Sequence, residues 1–166
     1  MGEDQTRTWT IVARTLWAAV AAERQAAPLD DVVASLGAQL HRSTPAHPGA
    51  PSVGEAALTT FQVTEADTAA AMGHPDPSMN VLGSPRIGLW FELATSPLMP
   101  EPGGGVRHVG VGLVVHHLAA AEVGEEVAVE AKVVDVSGRA VVFSLEATAG
   151  YRCVARGVHH RRILDA

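Results

Sequence analysis

Residues 84–97, SPRIGLWFELATSP, constrain the fold of this chain more than any other stretch. A hydroxyl residue followed by proline is a helix start: Ser84 sits at the cap and Pro85 at the first helical position, where a missing N–H is tolerated. Beyond Arg86 the segment is apolar nearly all round, and Glu92 is its only acidic residue. A helix without a polar face has to be enclosed by other elements. The flanking sequence says which. After the glycine turn Gly103–Gly105 the chain reads as strands at about 106–118, 125–136, 139–149 and 151–163, with Ser137-Gly138 and Gly150 marking tight turns. Ahead of the helix, LTTFQVT (58–64) has the alternation and β-branched content of one more strand. EADTAAAMG (65–73) reads as a short helix ended by Gly73, and HPDPSMN (74–80) as a loop, because two prolines forbid regular structure there. The order is one strand, a buried central helix, then four long antiparallel strands. That is an α+β architecture in which a sheet wraps one helix.

The N-terminal part has a different character. Residues 8–26 place Trp9, Val12, Leu16 and Val20 on one stripe, with Arg14, Glu23 and Arg24 largely off it, as in an amphipathic helix. Pro28 breaks it. Asp30 or Asp31 caps a second helix, with Val32, Val33, Leu36 and Leu40 on one face. STPAHPGAPSVG (43–54) is rich in Pro, Gly and Ser and reads as a linker. The expected organisation is therefore a two-helix extension over 1–42, a linker over 43–54 and a main domain over 55–166. Trp9 and Trp17 favour a packing role for the extension over a free tail.

Composition narrows the function classes. A formal net charge of -6 argues against a nucleic-acid partner, since phosphate binding needs a basic stripe. No apolar run approaches the roughly 20 residues of a membrane span. The N-terminus carries Glu3 and Asp4 and does not read as a secretory signal. Cys153 is the one cysteine, so no internal disulfide forms, and in its apolar run it reads as a small buried hydrophobe. A cytoplasmic protein is expected. There is no P-loop, CxxC pair, GxSxG elbow or HExxH. His116 and His117 are strand neighbours that point to opposite faces and so cannot chelate one metal together. No metal is expected.

Four segments, VTEADTAAAMG, VLGSPRIGLWFELA, VGVGLVVHHLAAAEVGEEV and ARGVHHRRIL, resemble thioesterases of the fluoroacetyl-CoA thioesterase type, in the family's order over roughly residues 57–165. The resemblance implies a hotdog fold and a substrate that is an acyl-CoA or acyl-carrier thioester. Coenzyme A then enters as part of the substrate and no separate cofactor is implied. It also implies a homodimer with sites at the interface. It places the catalytic hydroxyl on Ser84, the carboxylate on Glu92, the histidine on His117, and Gly110 against the acyl group. The usual hydroxyl is threonine; Ser84 keeps the oxygen and loses a methyl that restricts the rotamer. The family's aromatic lid would fall near Ala69–Met72, where this chain has no aromatic residue, and the N-terminal helix pair is outside the usual pattern.

The residues support that chemistry in different degrees. Glu92 is suited to act as a general base on water or as the attacking carboxylate. A lone carboxylate on an apolar helix is expected to be desolvated, which strengthens it as a base near neutral pH. Ser84 reads either as a plain helix cap or as a hydroxyl facing substrate. The amides of Arg86 and Ile87 at the helix start offer an oxyanion site aided by the helix dipole. His117 is placed to orient the hydroxyl or to protonate the departing thiolate; a structural histidine is the plain alternative. Ser84 and Glu92 are eight residues apart, about 12 Å along a straight helix. Either the substrate bridges them or two protomers share the site. His159-His160-Arg161-Arg162 reads as a solvated basic strand end ahead of a contact to CoA phosphates made with Arg86 or Arg107. His74, in the proline-rich loop, is a candidate gate to the pocket. Two rivals remain: a hotdog hydratase or dehydratase, disfavoured because the helix contains no His or Asp, and a non-catalytic acyl-thioester binder.

Overall fold

The computed structural model describes residues 45–101 and 106–165. The two expected N-terminal helices and the Gly103–Gly105 turn lie outside them. The described residues from Ala46 onward belong to one compact unit. It contains strands β1 (Ala56–Gln62), β2 (Val106–His117), β3 (Glu126–Ser137), β4 (Ala140–Ala149) and β5 (Arg152–Asp165), with one helix, α1 (Ser84–Thr95), between β1 and β2. All strand pairs are antiparallel, in the order β1-β3-β4-β5-β2. This is the sheet-around-a-helix arrangement expected of a hotdog fold.

The core follows from alternation along the strands. Val127, Val129, Ala131 and Val133 of β3 and Val141, Phe143, Leu145 and Ala147 of β4 are buried. They form one apolar cluster with Ile87, Trp90, Phe91 and Ala94 of α1. Those four helix positions recur at the spacing of a single helix face. Phe61 of β1 stacks on Trp90 with ring centroids 4.8 Å apart. The expectation of a helix buried all round is corrected here. A single curved sheet covers one side of α1 and leaves Leu89, Glu92 and Leu93 exposed.

Two other segments differ from expectation. Over 65–73 only Glu65–Asp67 is helical, as one 3-10 turn. The chain beyond it is drawn into pairing with the returning loop: Ala69 N donates to Val81 O at 2.8 Å and Ala70 N to Met79 O at 3.0 Å. Amides committed across the loop cannot continue a helix. Residues 46–54 are irregular, as their composition suggests, yet they are bonded to the sheet: His47 N donates to Gly138 O and Gly54 N to Val133 O. No helix among the described residues is long and apolar enough to cross a membrane.

Gly157 of β5 marks where the helix comes closest to the sheet. A Cβ there would collide with the backbone carbonyl of Val114 and lie 2.6 Å from Phe91 Cε2. Neither neighbour is the free end of a flexible side chain. Gly157→Ala should therefore destabilise the fold by about 1–3 kcal/mol in urea unfolding. Gly112→Ala, whose Cβ would meet only His160 Cβ at 3.8 Å, should stay within about 0.5 kcal/mol of the parent. Equal midpoints for the two variants would contradict this packing.

Candidate active site

Two clusters of polar side chains lie at opposite ends of α1. At its start, Gly83 rather than Ser84 is the cap residue, and no side chain caps the helix. Ser84 is one residue further in, so its hydroxyl is free for a tertiary contact: Ser84 Oγ lies 2.9 Å from His117 Nδ1. The plain cap reading of Ser84 is thereby corrected. His117 Nε2 is 3.0 Å from Ala119 O. A carbonyl only accepts, so Nε2 bears a hydrogen, and in the neutral ring Nδ1 is the acceptor for the Ser84 O–H. A hydroxyl bonded to a neutral imidazole in this way is the arrangement that activates an oxygen nucleophile or fixes a hydroxyl in one orientation.

The neighbouring positions are otherwise committed. The amides of Arg86 and Ile87 both point at Gly83 O, at 3.0 and 3.2 Å, and are not open donors for an oxyanion. The Ile87 side chain is fully buried in the core. Arg86 Nε pairs with Asp67 Oδ1 at 2.6 Å. Asp67 in turn accepts from Thr64 N at 2.8 Å and is nearly buried. Arg86 therefore secures the turn that leads into the helix. His74 is tied into its own exposed loop, where Nδ1 accepts from Asp76 N at 3.1 Å.

Gly110 and His117 are seven residues apart on β2. In a regular strand an odd separation puts side chains on opposite faces. The register shifts between Gly110 and Gly112, where Gly110 faces Arg161 and Gly112 faces His160, so β2 carries one extra residue. This bulge restores Gly110, Leu113 and His117 to the face that meets α1. There a Cβ on Gly110 would lie 2.9 Å from Glu92 Oε1 and 2.8 Å from His159 Nε2. The absent side chain lets a carboxylate and an imidazole close in over the strand backbone. Glu92 itself has a side chain 49% exposed, against the expectation that its apolar helix would desolvate it.

The same end of α1 is fastened to β5. Arg161 Nη1 donates to Glu92 O at 3.0 Å, Thr95 Oγ1 at 2.9 Å and Ser96 Oγ at 3.0 Å, while Nη2 lies 2.9 Å from His108 Nδ1. A buried guanidinium at a helix C-terminus satisfies carbonyls and complements the helix dipole. His159 is fully buried, with Nδ1 3.0 Å from Thr95 Oγ1 and Nε2 3.8 Å from Glu92 Oε1. Burial, then Arg161 and His160, pushes its pKa down to about 4, so the ring is neutral near pH 7. Burial and Arg161 push His108 in the same direction. The solvated-end reading of residues 159–162 is corrected for His159 and Arg161. Strand alternation held the signal, because both share the parity of buried Ile163.

The structure thus brings Ser84 to His117, and Glu92 to Gly110. No direct bond joins the two groups. Among the described residues no three His, Cys, Asp or Glu side chains converge to hold a metal ion. A separate open cleft of about 700 Å³, lined by Glu65, Thr68, Asn80 and Glu122 among others, includes none of these side chains.

The family model of the fluoroacetyl-CoA-specific thioesterase FlK matches residues 63–166. A Phe-to-Ala variant of that thioesterase, solved with fluoroacetate and CoA, is similar at 25% identity and TM-score 0.60, over 69% of this chain and 95% of its own. A hot-dog-like protein from Thermanaerovibrio acidaminovorans shares the fold at 24% identity and TM-score 0.62, over 69% and 84%. So does a 1,4-dihydroxy-2-naphthoyl-CoA thioesterase from Synechocystis, at 16% identity and TM-score 0.55, over 67% and 83%. No curated protein sequence matches the chain.

The neutral His159 makes stability depend on pH. Its pKa falls from 6.5 in the unfolded chain to about 4 in the fold, so between these values the unfolded chain binds more protons. Stability is full above 6.5 and declines as pH falls toward 4, by up to about 3 kcal/mol in all. Urea unfolding at about pH 7.5 and about pH 4.5 should show this loss, and His159→Gln should reduce it. An unchanged pH difference in the variant would contradict the assignment.

Proposed function

The chain belongs to the fluoroacetyl-CoA-specific thioesterase family, and on that premise we propose that it hydrolyses an acyl-CoA or acyl-carrier thioester with Glu92, Ser84 and His117. The observation that carries this reading is the 2.9 Å contact of the Ser84 hydroxyl with His117 Nδ1, on the helix that also bears Glu92. The thioester lies along α1, with its acyl group beside Gly110 and its carbonyl between Ser84 and Glu92. His117 accepts the Ser84 proton and so fixes the Ser84 oxygen beside the thioester. Glu92 takes a proton from water as the oxygen adds to the carbonyl carbon. The C–S bond then breaks, and the proton held by Glu92 leaves with the thiolate sulfur. Coenzyme A takes part only as the thiol half of the substrate. The span between Ser84 and Glu92, about 12 Å along the helix, is bridged by the substrate.

The working form in this reading is a homodimer joined through β2. That strand pairs only with β5 among the described residues, so its outer edge lacks a neighbour. Val109 and Val111 on it are exposed, as are Leu89 and Leu93 on the adjacent face of α1. A long apolar edge invites pairing with another chain. A partner seated there would also cover the half-exposed Glu92 and supply the desolvation that a single chain lacks.

Release of free thiol from a panel of acyl-CoA esters tests the chemistry. Glu92→Gln should lower kcat by about 100-fold or more, the range of a lost general base. His117→Ala should lower it as well. No thiol release from any ester by the unmodified protein would overturn the proposal, and water addition to an enoyl-CoA would replace it with a hydratase. Light scattering after gel filtration should give twice the 17.3 kDa chain mass. Val111→Lys should give the single-chain mass and lose activity; a monomeric, active parent protein would remove the dimer from the account.

A further inference from the structure

His159 is the most deeply buried titratable side chain of the Glu92 end of α1, and the hydrolytic scheme above gives it no part. Its Nε2 is buried without a hydrogen-bond partner. Buried polar atoms are rarely left so. Its surroundings decide which ring nitrogen carries the proton. Thr95 has one hydroxyl hydrogen and two nearby acceptors, Glu92 O at 2.9 Å and His159 Nδ1 at 3.0 Å. Glu92 O already receives Arg161 Nη1 and Ser96 Oγ, each at 3.0 Å, which fills both its lone pairs. Thr95 Oγ1 itself accepts from Arg161 Nη1 at 2.9 Å. The Thr95 proton is therefore best used on His159 Nδ1, which leaves the ring hydrogen on Nε2. That N–H emerges beside Glu92 Oε1, 3.8 Å away, above Gly110, where a Cβ would crowd both groups. The opposite tautomer would aim a bare lone pair at a carboxylate.

We propose that His159 is the positioning residue of Glu92: a buried imidazole, braced at Nδ1 by Thr95, that holds the carboxylate over Gly110 through Nε2–H. A half-exposed glutamate has other staggered rotamers open to it, so a fixed partner is needed to hold its carboxylate over Gly110. A closing movement of about 1 Å converts the 3.8 Å approach into a hydrogen bond of ordinary length. Arg161 supports the arrangement from behind by filling the Glu92 carbonyl and the Thr95 hydroxyl. The inference rests on the reading of Glu92 as the reacting carboxylate, but the placement of the proton can be measured without turnover.

Long-range proton–nitrogen spectra of the full ¹⁵N-labelled chain give that measurement, with the His159 signals assigned by their loss in His159→Gln. The expected result is the neutral Nε2–H tautomer near pH 7, with an Nε2 resonance that moves in Glu92→Gln. The Nδ1–H tautomer, or an Nε2 signal indifferent to Glu92→Gln, overturns the proposal. Kinetics add a second reading. His159→Asn keeps a polar group near Thr95 and loses the one near Glu92, and should cost about tenfold in kcat with KM unchanged. His159→Gln restores an N–H near the Nε2 position and should recover most of that loss. In a Glu92→Gln background His159→Asn should cost nothing further. Additive losses in the double variant would mean that His159 acts on the fold and not on Glu92. Absence of thiol release by the parent protein would sink the hydrolase reading, while the tautomer would still decide the role of His159.

Discussion

Every feature of the site depends on how α1 is held at its two ends. At the start, the Ser84–His117 bond ties the helix to β2. At the finish, the Arg161 guanidinium ties the Glu92 carbonyl and the Thr95 and Ser96 hydroxyls to β5. Between these points Phe91 presses against Gly157, where no side chain fits. A helix fixed in this way cannot slide or roll relative to the sheet. The backbone positions of Ser84 and Glu92 relative to β2 are therefore set by the fold.

The bulge in β2 is the second constraint. Without the extra residue at Val111, Gly110 and His117 would lie on opposite faces, and one end of the helix would lose its partner. The bulge also leaves Val111 exposed beside Val109 on an edge that lacks a neighbouring strand among the described residues. One local irregularity thus aligns the two polar clusters and shapes the surface proposed to meet a second copy.

Much of this was legible in the sequence. Alternating β-branched residues and the Ser137-Gly138 and Gly150 turns placed β3, β4 and β5 to within about two residues, the usual uncertainty of element ends. Ser84-Pro85 located the helix start to within one. Other features depended on long-range pairing and were not legible. The segment after Asp67 has helical composition but gives its amides to the returning loop. The all-apolar helix implied full burial, yet one sheet covers only one side of it. His159 and Arg161 looked like part of a charge run because parity along a strand reveals a face only once a buried neighbour, here Ile163, is known. The placement of Gly110 under Glu92 and His159 required the bulge, which no local signal announced beyond the glycines themselves.

The central claim is that a single thioester spans the helix from Ser84 to Glu92 with its acyl group against Gly110. A crystal structure of the Glu92→Gln variant soaked with a slowly hydrolysed acyl-CoA tests it most directly. The expected result is the thioester carbonyl between Ser84 and residue 92, with the acyl group beside Gly110. An acyl group seated instead in the cleft lined by Glu65, Asn80 and Glu122, away from Gly110, would contradict it.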